Sequence, residues 1–257
     1  LQLSRVAKTG TATGCIADYA QQLRSRGIDL IVVPVPPKVL VYPDKLARAA
    51  KIPLKSRQPA RLDSPLKAAI DELSSRKVTV VDILPALLAH RDEKSGPAFP
   101  KSSAPGSPGG VQLAAKETAA AVSASKAGGR GTVTGITAEP ITVTFTGGLG
   151  IGEPNMKPET FQTSKIGRIS GGKLRSLAFD TSGGSLLLMG DSNILAWRET
   201  NNPQGSLPAF CSVAEQLAAE LQVIPDVLSS TSDGRNAPRL RILRERTNGN
   251  GMLGSTK

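Results

Sequence analysis

The sequence predicts an α/β fold, in which a parallel sheet is flanked by helices and interrupted by a β-rich insertion. Three observations carry this. Short apolar runs at 29–35, 78–83, 186–189 and 223–228 alternate with amphipathic helical stretches, the order that builds a parallel sheet with helices on both faces. Between the fourth helical stretch and the third strand, Ile141, Val143 and Phe145 alternate with Thr142, Thr144 and Thr146 amid many glycines, the two-residue period of a half-exposed strand. Finally, the run Ser185-Leu186-Leu187-Leu188-Met189 leads straight into Gly190-Asp191-Ser192-Asn193, a buried strand ending in a tight polar turn.

Taken in order, Cys15 to Arg26 is an amphipathic helix with Ile16, Ala20 and Leu23 on one face, stopped by Gly27. Residues 29–35 then read as a strand buried on both faces. Ser64 and Pro65 read as N-cap and first helical residue, with Leu66, Ile70 and Leu73 following at helical spacing. Residues 78–83 form the second strand, and 85–89 a short helix. The stretch 96–110 is rich in Pro, Gly and Ser and reads as a loop. Ser107 and Pro108 start a helix to about Ser125, with Val111, Ala115, Ala119 and Val122 inward. Residues 128–184 are the β-rich insertion. Val213, Leu217 and Leu221 mark another helix. Pro225 suggests that the fourth strand lies at an edge or bulge. A basic helix is expected over Arg239 to Arg246, ahead of a loose tail at 247–257. The organisation expected is one domain over 1–246, with the insertion inside it.

The turn at 190–193 suits a nucleophile, because open α/β sheets bind ligands outside the carboxyl ends of their strands. Ser192 is the candidate nucleophile. Asp191 either orients the turn or is a plain turn residue. Asn193 either offers an oxyanion-hole donor or faces solvent at a helix start. A serine nucleophile needs a base, and the single histidine is His90. It is separated from Asp82 by roughly 12 Å of mostly helical chain at about 1.5 Å per residue, whereas a general base works at about 3 Å. An exposed histidine at a helix end is the default for it. Asp82 ends the second strand and either lines a pocket or caps the helix before Pro85. Trp197 either stacks on a sugar ring or fills the core. Asp233 and Gly234 form a turn past the fourth strand.

The chain has 257 residues and a formal net charge of +11. A basic surface favours anionic partners, yet no nucleic-acid recognition module is visible. Gly148, Gly150 and Gly152 do not make a phosphate loop, since Pro154 blocks the helix that would follow. One histidine and two distant cysteines, Cys15 and Cys211, cannot supply a structural metal site, and no cofactor is expected. The cysteines pair or stay as thiols. No run reaches transmembrane length, so no integral membrane segment is expected. The sequence begins at Leu1 without an initiator Met, so a processed or truncated chain is expected, and the missing leader says nothing about export.

Several segments together resemble one family. Gly27 to Lys38 followed by Tyr42-Pro43-Asp44-Lys45-Leu46, Val81 to Leu87, Ile141-Thr142-Val143-Thr144 with Gly147 to Gly150, Leu186 to Ser192, Ala214 to Leu221 and Asp233-Gly234 occur in order. They are similar to the alginate O-acetyltransferase family, the AlgJ/AlgX group of SGNH-hydrolase-like proteins. The resemblance implies an SGNH-like three-layer sandwich and export, for example to a periplasm. It implies transfer of acetyl through a serine to an acidic exopolysaccharide, with an acyl donor or acetylation-machinery proteins as partners. In an intact member, serine attacks the acyl carbonyl, a histidine takes its proton and an aspartate orients the imidazole. Ser192 occupies the nucleophile position. The family carries Asp-x-His just before a Ser/Thr-Pro-x-Gly helix start. Here Ser107-Pro108-Gly109-Gly110 keeps the helix start, but Ser103 stands at the Asp position and Pro105 at the His position. Asp233 and Gly234 are similar to the family's final active-site loop, which implies a substrate-binding role beside the plain-turn reading; Ser232 replaces the usual Asn before them, and Asn193 the common aromatic after the nucleophile. A catalytically impaired relative that binds polymer or partner is therefore the alternative to an active transferase.

Overall fold

The computed structural model describes residues 11–45, 62–93, 96–102, 106–125, 135–146, 157–179, 185–198 and 210–229. They fall in two compact units: Leu1–Ala89 with Ala120–Gly128, and His90–Ala119 with Gly129–Lys257. The basic segment 239–246, the tail and the glycines at 148–152 lie outside the described residues.

In the first unit, helix α1 (Ala12–Arg24) is capped by Thr11, whose side chain accepts from Gly14 N at 3.1 Å. It ends where Gly27 turns left-handed (φ +74°) and Ile28 N returns to Leu23 O, as the sequence predicts. Strand β1 (Ile31–Val32) is shorter than expected and half-buried rather than buried on both faces. The reason is local: Pro34, Pro36 and Pro37 lack the N–H a ladder needs, and Val35 is left exposed. A short helix α2 (Lys38–Val41) follows. Helix α3 (Ser64–Ser75) has its N-cap at Asp63, not Ser64, which places Pro65 second in the helix. Strand β2 (Thr79–Val80) pairs parallel with β1 in the register Ile31↔Thr79. Ala20, Leu73 and Val78 pack together with Ile16, Ala17, Leu30, Val32 and Val80. Helix α4 (Leu84–Ala89) buries Leu84 and Leu87, each worth about 1.5–3 kcal/mol of transfer free energy.

Helix α5 (Pro108–Ala124) crosses the boundary between units. Ser107 caps it, accepting from Gly110 N at 3.1 Å and donating to Pro97 O. Val111, Ala115, Ala119 and Val122 are buried, as the helical spacing predicts.

The second unit carries an antiparallel sheet inside the predicted insertion: β3 (Ile136–Phe145), β4 (Glu159–Ser170) and β5 (Lys173–Arg175), in that order. Ile141, Val143 and Phe145 are half-buried while Thr142, Thr144 and Thr146 are exposed, the expected alternation. Pro140 is tolerated because β3 lies at the edge of the sheet. The β4–β5 turn is Gly171-Gly172, both at positive φ, the backbone a two-residue hairpin requires. Strand β6 (Leu187–Gly190) enters helix α6 (Ser192–Leu195). Helix α7 (Val213–Leu221) starts with a capping box of Ser212 and Glu215. Strand β7 (Asp226–Ser229) lies parallel to β6, from Leu187↔Asp226 to Gly190↔Ser229. It begins just after Pro225, which cannot donate to the ladder. Ala115, Ala119 and Leu217 form one core cluster with Leu186, Leu188 and Leu221; Ile194, Ala214 and Val227 form another. Cys15 is a half-buried free thiol, and Cys211 a fully buried one.

Candidate active site

The turn after β6 is held by its own aspartate. Asp191 Oδ1 accepts from Asn193 N and from Asn193 Nδ2, both at 2.9 Å. The Asp191 carbonyl accepts from Ile194 N at 3.2 Å and from Ser229 Oγ at 2.6 Å. Ser229 is the residue opposite Gly190 in the register, so the end of β7 fixes the turn. Gly190 leaves room for Ile194, whose Cδ1 would stand 2.5 Å from a Cβ at that position and would have to shift. The backbone of Ser192 thus sits at the first residue of α6, just past the carboxyl end of a parallel pair. The Ser192 side chain lies outside what is described. Asn193 has committed one amide hydrogen to Asp191 and keeps a second donor.

The segment after α6 is tied into the insertion. Trp197, at φ +69°, sets its ring edge-on to Phe145 (4.8 Å between centroids) and to Phe161 (5.9 Å), within the favoured range for aromatic pairs. Its Nε1 donates to Gly106 O at 2.8 Å. Arg198 lies over the Phe179 ring at 4.3 Å and approaches Glu215 at 3.6 Å. Glu215 is almost wholly buried and accepts from Ser212 N and Ser212 Oγ. Burial pushes its pKa above 4.5, outweighing the opposing Ser212 hydrogen bond and Arg198 charge. Burial likewise pushes the neighbouring Cys211 thiol up to about 12, with some help from the Glu215 charge.

The stretch before α5 is clamped by a carboxylate from β4. Glu159 Oε2 accepts from Lys101 N at 2.8 Å, and Oε1 from Ser102 N at 3.0 Å and Ser102 Oγ at 2.8 Å. Gly110 brings helix α5 against the backbone of Ala98, where a Cβ would stand 2.1 Å from the carbonyl oxygen. Ser103 and Pro105 lie between these anchors and outside the described residues, as do Asp233 and Gly234.

His90 Nδ1 contacts Glu93 Oε1 across one helical turn at the surface. Asp82 Oδ1 accepts from Leu84 N at 3.3 Å, the capping arrangement the sequence allows. Sequence reading names Asp191, Ser192 and Asn193, which form the turn and helix start after β6, and Trp197, which lies past α6 against Phe145 and Phe161. It misses Ser229, Glu159 and Gly106. The contact of Ser229 depends on the register of two parallel strands, which the sequence does not carry. Glu159 and Gly106 carry no local signal. Among the described residues no cluster of His, Cys, Asp or Glu could hold a metal, and no helix is long and apolar enough to cross a membrane.

A strand, an aspartate-braced turn and a serine at a helix start, beside an inserted antiparallel sheet, agree with what comparison finds. A family model for the SGNH hydrolase-like domain of acetyltransferase AlgX matches residues 3–198. The chain belongs to this family. The O-acetyltransferase domain of Pseudomonas putida AlgJ is similar in structure, with a TM-score of 0.62 and 19% identity over 92% of this chain and 76% of that one. Pseudomonas aeruginosa AlgX gives a TM-score of 0.65 at 16% identity, over 95% of this chain. The chain spans 55% of the length of that AlgX structure. At these identities the structural likeness speaks for the fold, which is SGNH-hydrolase-like α/β. No curated protein matches the chain.

Proposed function

We propose that this AlgX-type domain serves O-acetylation of an exported acidic polysaccharide by binding polymer or an acetylation partner, without itself completing acyl transfer. One observation carries the reading: the positions that hold Asp-x-His in the family are Ser103 and Pro105 here, and the chain's single histidine, His90, is engaged with Glu93. A competent member would use imidazole twice. It would take the serine proton as Oγ attacks the acyl carbonyl and return it to the departing donor. It would then deprotonate the sugar hydroxyl that removes acetyl from serine. Without a base, Ser192 stays a weak nucleophile, and the loss is about 10²- to 10⁴-fold in rate. The place of Ser192 at a helix start just past a parallel strand pair supports an inherited nucleophile position, and the charge of +11 suits an anionic polymer. The indole of Trp197 is engaged inside the protein, which supports a holding role over stacking on a sugar. Family membership favours a periplasmic or otherwise exported setting.

The test is acyl turnover. With p-nitrophenyl acetate the chain should give no burst that Ser192→Ala abolishes. The double change Ser103→Asp with Pro105→His should create Ser192-dependent turnover. A Ser192-dependent burst in the unmodified chain would instead establish an active transferase or esterase with an unconventional base.

A further inference from the structure

We propose that the β4–β5 hairpin is a docking arm for a polyuronate, presenting Arg168, Lys173 and Arg175 to the polymer's carboxylates. The choice of polymer rests on the proposed function; the arm itself rests on the register. Arg168 stands directly opposite Arg175, and Ser170 opposite Lys173. Directly opposed residues of an antiparallel pair project to the same face, so the three cations share one face. All three are exposed. Like charges directly opposite destabilise a sheet, and among the described residues no ion pair relieves them. The hairpin sequence from Ser164 to Ser176 contains no acidic residue.

The arm is also preorganised. The turn residues Gly171 and Gly172 take the positive φ that a two-residue hairpin needs. Gly167 lets β5 lie close, because a Cβ there would meet Arg175 O at 2.2 Å. A tight hairpin that sets two exposed arginines directly opposite one another on one face makes two guanidinium forks available, and each can bind a carboxylate through two parallel hydrogen bonds. The hairpin lacks aromatic side chains, so it has no platform for stacked bases, and a single exposed apolar residue, Ile169, is too little for insertion into a bilayer.

The experiment is calorimetric titration of the intact chain with a polyuronate oligosaccharide, at low and at moderate salt. Wild type is compared with Arg168→Gln/Arg175→Gln and with Arg168→Lys/Arg175→Lys. Exposed charge contacts contribute a factor of roughly two to five each, so the Gln pair should weaken binding about five- to twentyfold and flatten its salt dependence. The Lys pair should recover part of the loss. The melting temperature of the Gln pair should rise at low salt, because repulsion is relieved; arginines that merely hold the hairpin together would lower it. Unchanged oligosaccharide affinity in the Gln pair overturns the arm while leaving polymer binding intact. Absence of binding by wild type overturns both the arm and the polymer-binding half of the proposed function. Arginine-dependent binding to phosphatidylglycerol vesicles, with no uptake of oligosaccharide, overturns the polyuronate in favour of a membrane.

Discussion

Trp197 Nε1 donates to the carbonyl of Gly106 across 2.8 Å, so the segment that follows the serine turn holds the segment that leads into helix α5. The contact joins residues 91 positions apart, and both flank places where the family keeps its catalytic groups. Trp197→Phe removes the donor, orphans a carbonyl and shrinks a packed ring. The expected loss is roughly 1–3 kcal/mol, the sum of one hydrogen bond and a small cavity. Urea denaturation measures it. In the Ser103→Asp/Pro105→His background, Trp197→Phe should also suppress the gained turnover while Ser192 remains in place. Full retention of that turnover would detach Trp197 from the loop's placement.

Glu215 should make stability depend on pH in the direction opposite to an ordinary ion-paired carboxylate. Its folded pKa is raised by burial above 4.5, so the native state holds the proton more tightly than the unfolded chain. Stability from this group is fully present below about 4.5 and declines as pH rises through the folded value, because the native state then binds more protons than the unfolded one. Glu215→Gln keeps an acceptor for Ser212 and removes the titration. The difference in unfolding free energy between wild type and variant, taken from about pH 4 to pH 8, should shift against wild type as pH rises. A difference that moves the other way would mean that the Arg198 charge outweighs burial.

Gly110→Ala pits helix propensity against contact. Alanine gains up to about 1 kcal/mol over glycine in a helix interior. Here its Cβ would stand 2.1 Å from Ala98 O, and that oxygen belongs to backbone that no rotamer change can move. Overpacking of this kind costs about 1–3 kcal/mol, so the substitution should lower the urea midpoint. Gly109→Ala meets Gly96 O at 2.8 Å and should be milder. A stabilised Gly110→Ala variant would show that the 96–102 segment yields.

Much of the architecture was legible because it is written in local periodicity. The Thr/apolar alternation of β3, the helical spacing of Val213, Leu217 and Leu221, and the apolar run into Gly190 each bury one face, and burial leaves a period in the sequence. Strand lengths were less legible. The run 29–35 is apolar throughout, but prolines limit how much of it can join a ladder, and only Ile31–Val32 pairs. Asp63 rather than Ser64 caps α3, since both residue types suit the position and only the backbone decides. The serine turn was legible through its place at a strand end. Its bracing was not. Ser229 reaches Asp191 across parallel strands, and Glu159 gathers Lys101 and Ser102 from far along the chain. Side-chain contacts to distant backbone leave no pattern in either partner's neighbourhood.

The sulfur of Cys211 is fully buried and holds its proton until about pH 12. Oxidation and disulfide exchange both begin from a thiolate that a reagent can reach. In aerated buffer, then, a covalent dimer cross-linked through residue 211 would count molecules that had opened, and its rate of appearance would serve as a clock for opening.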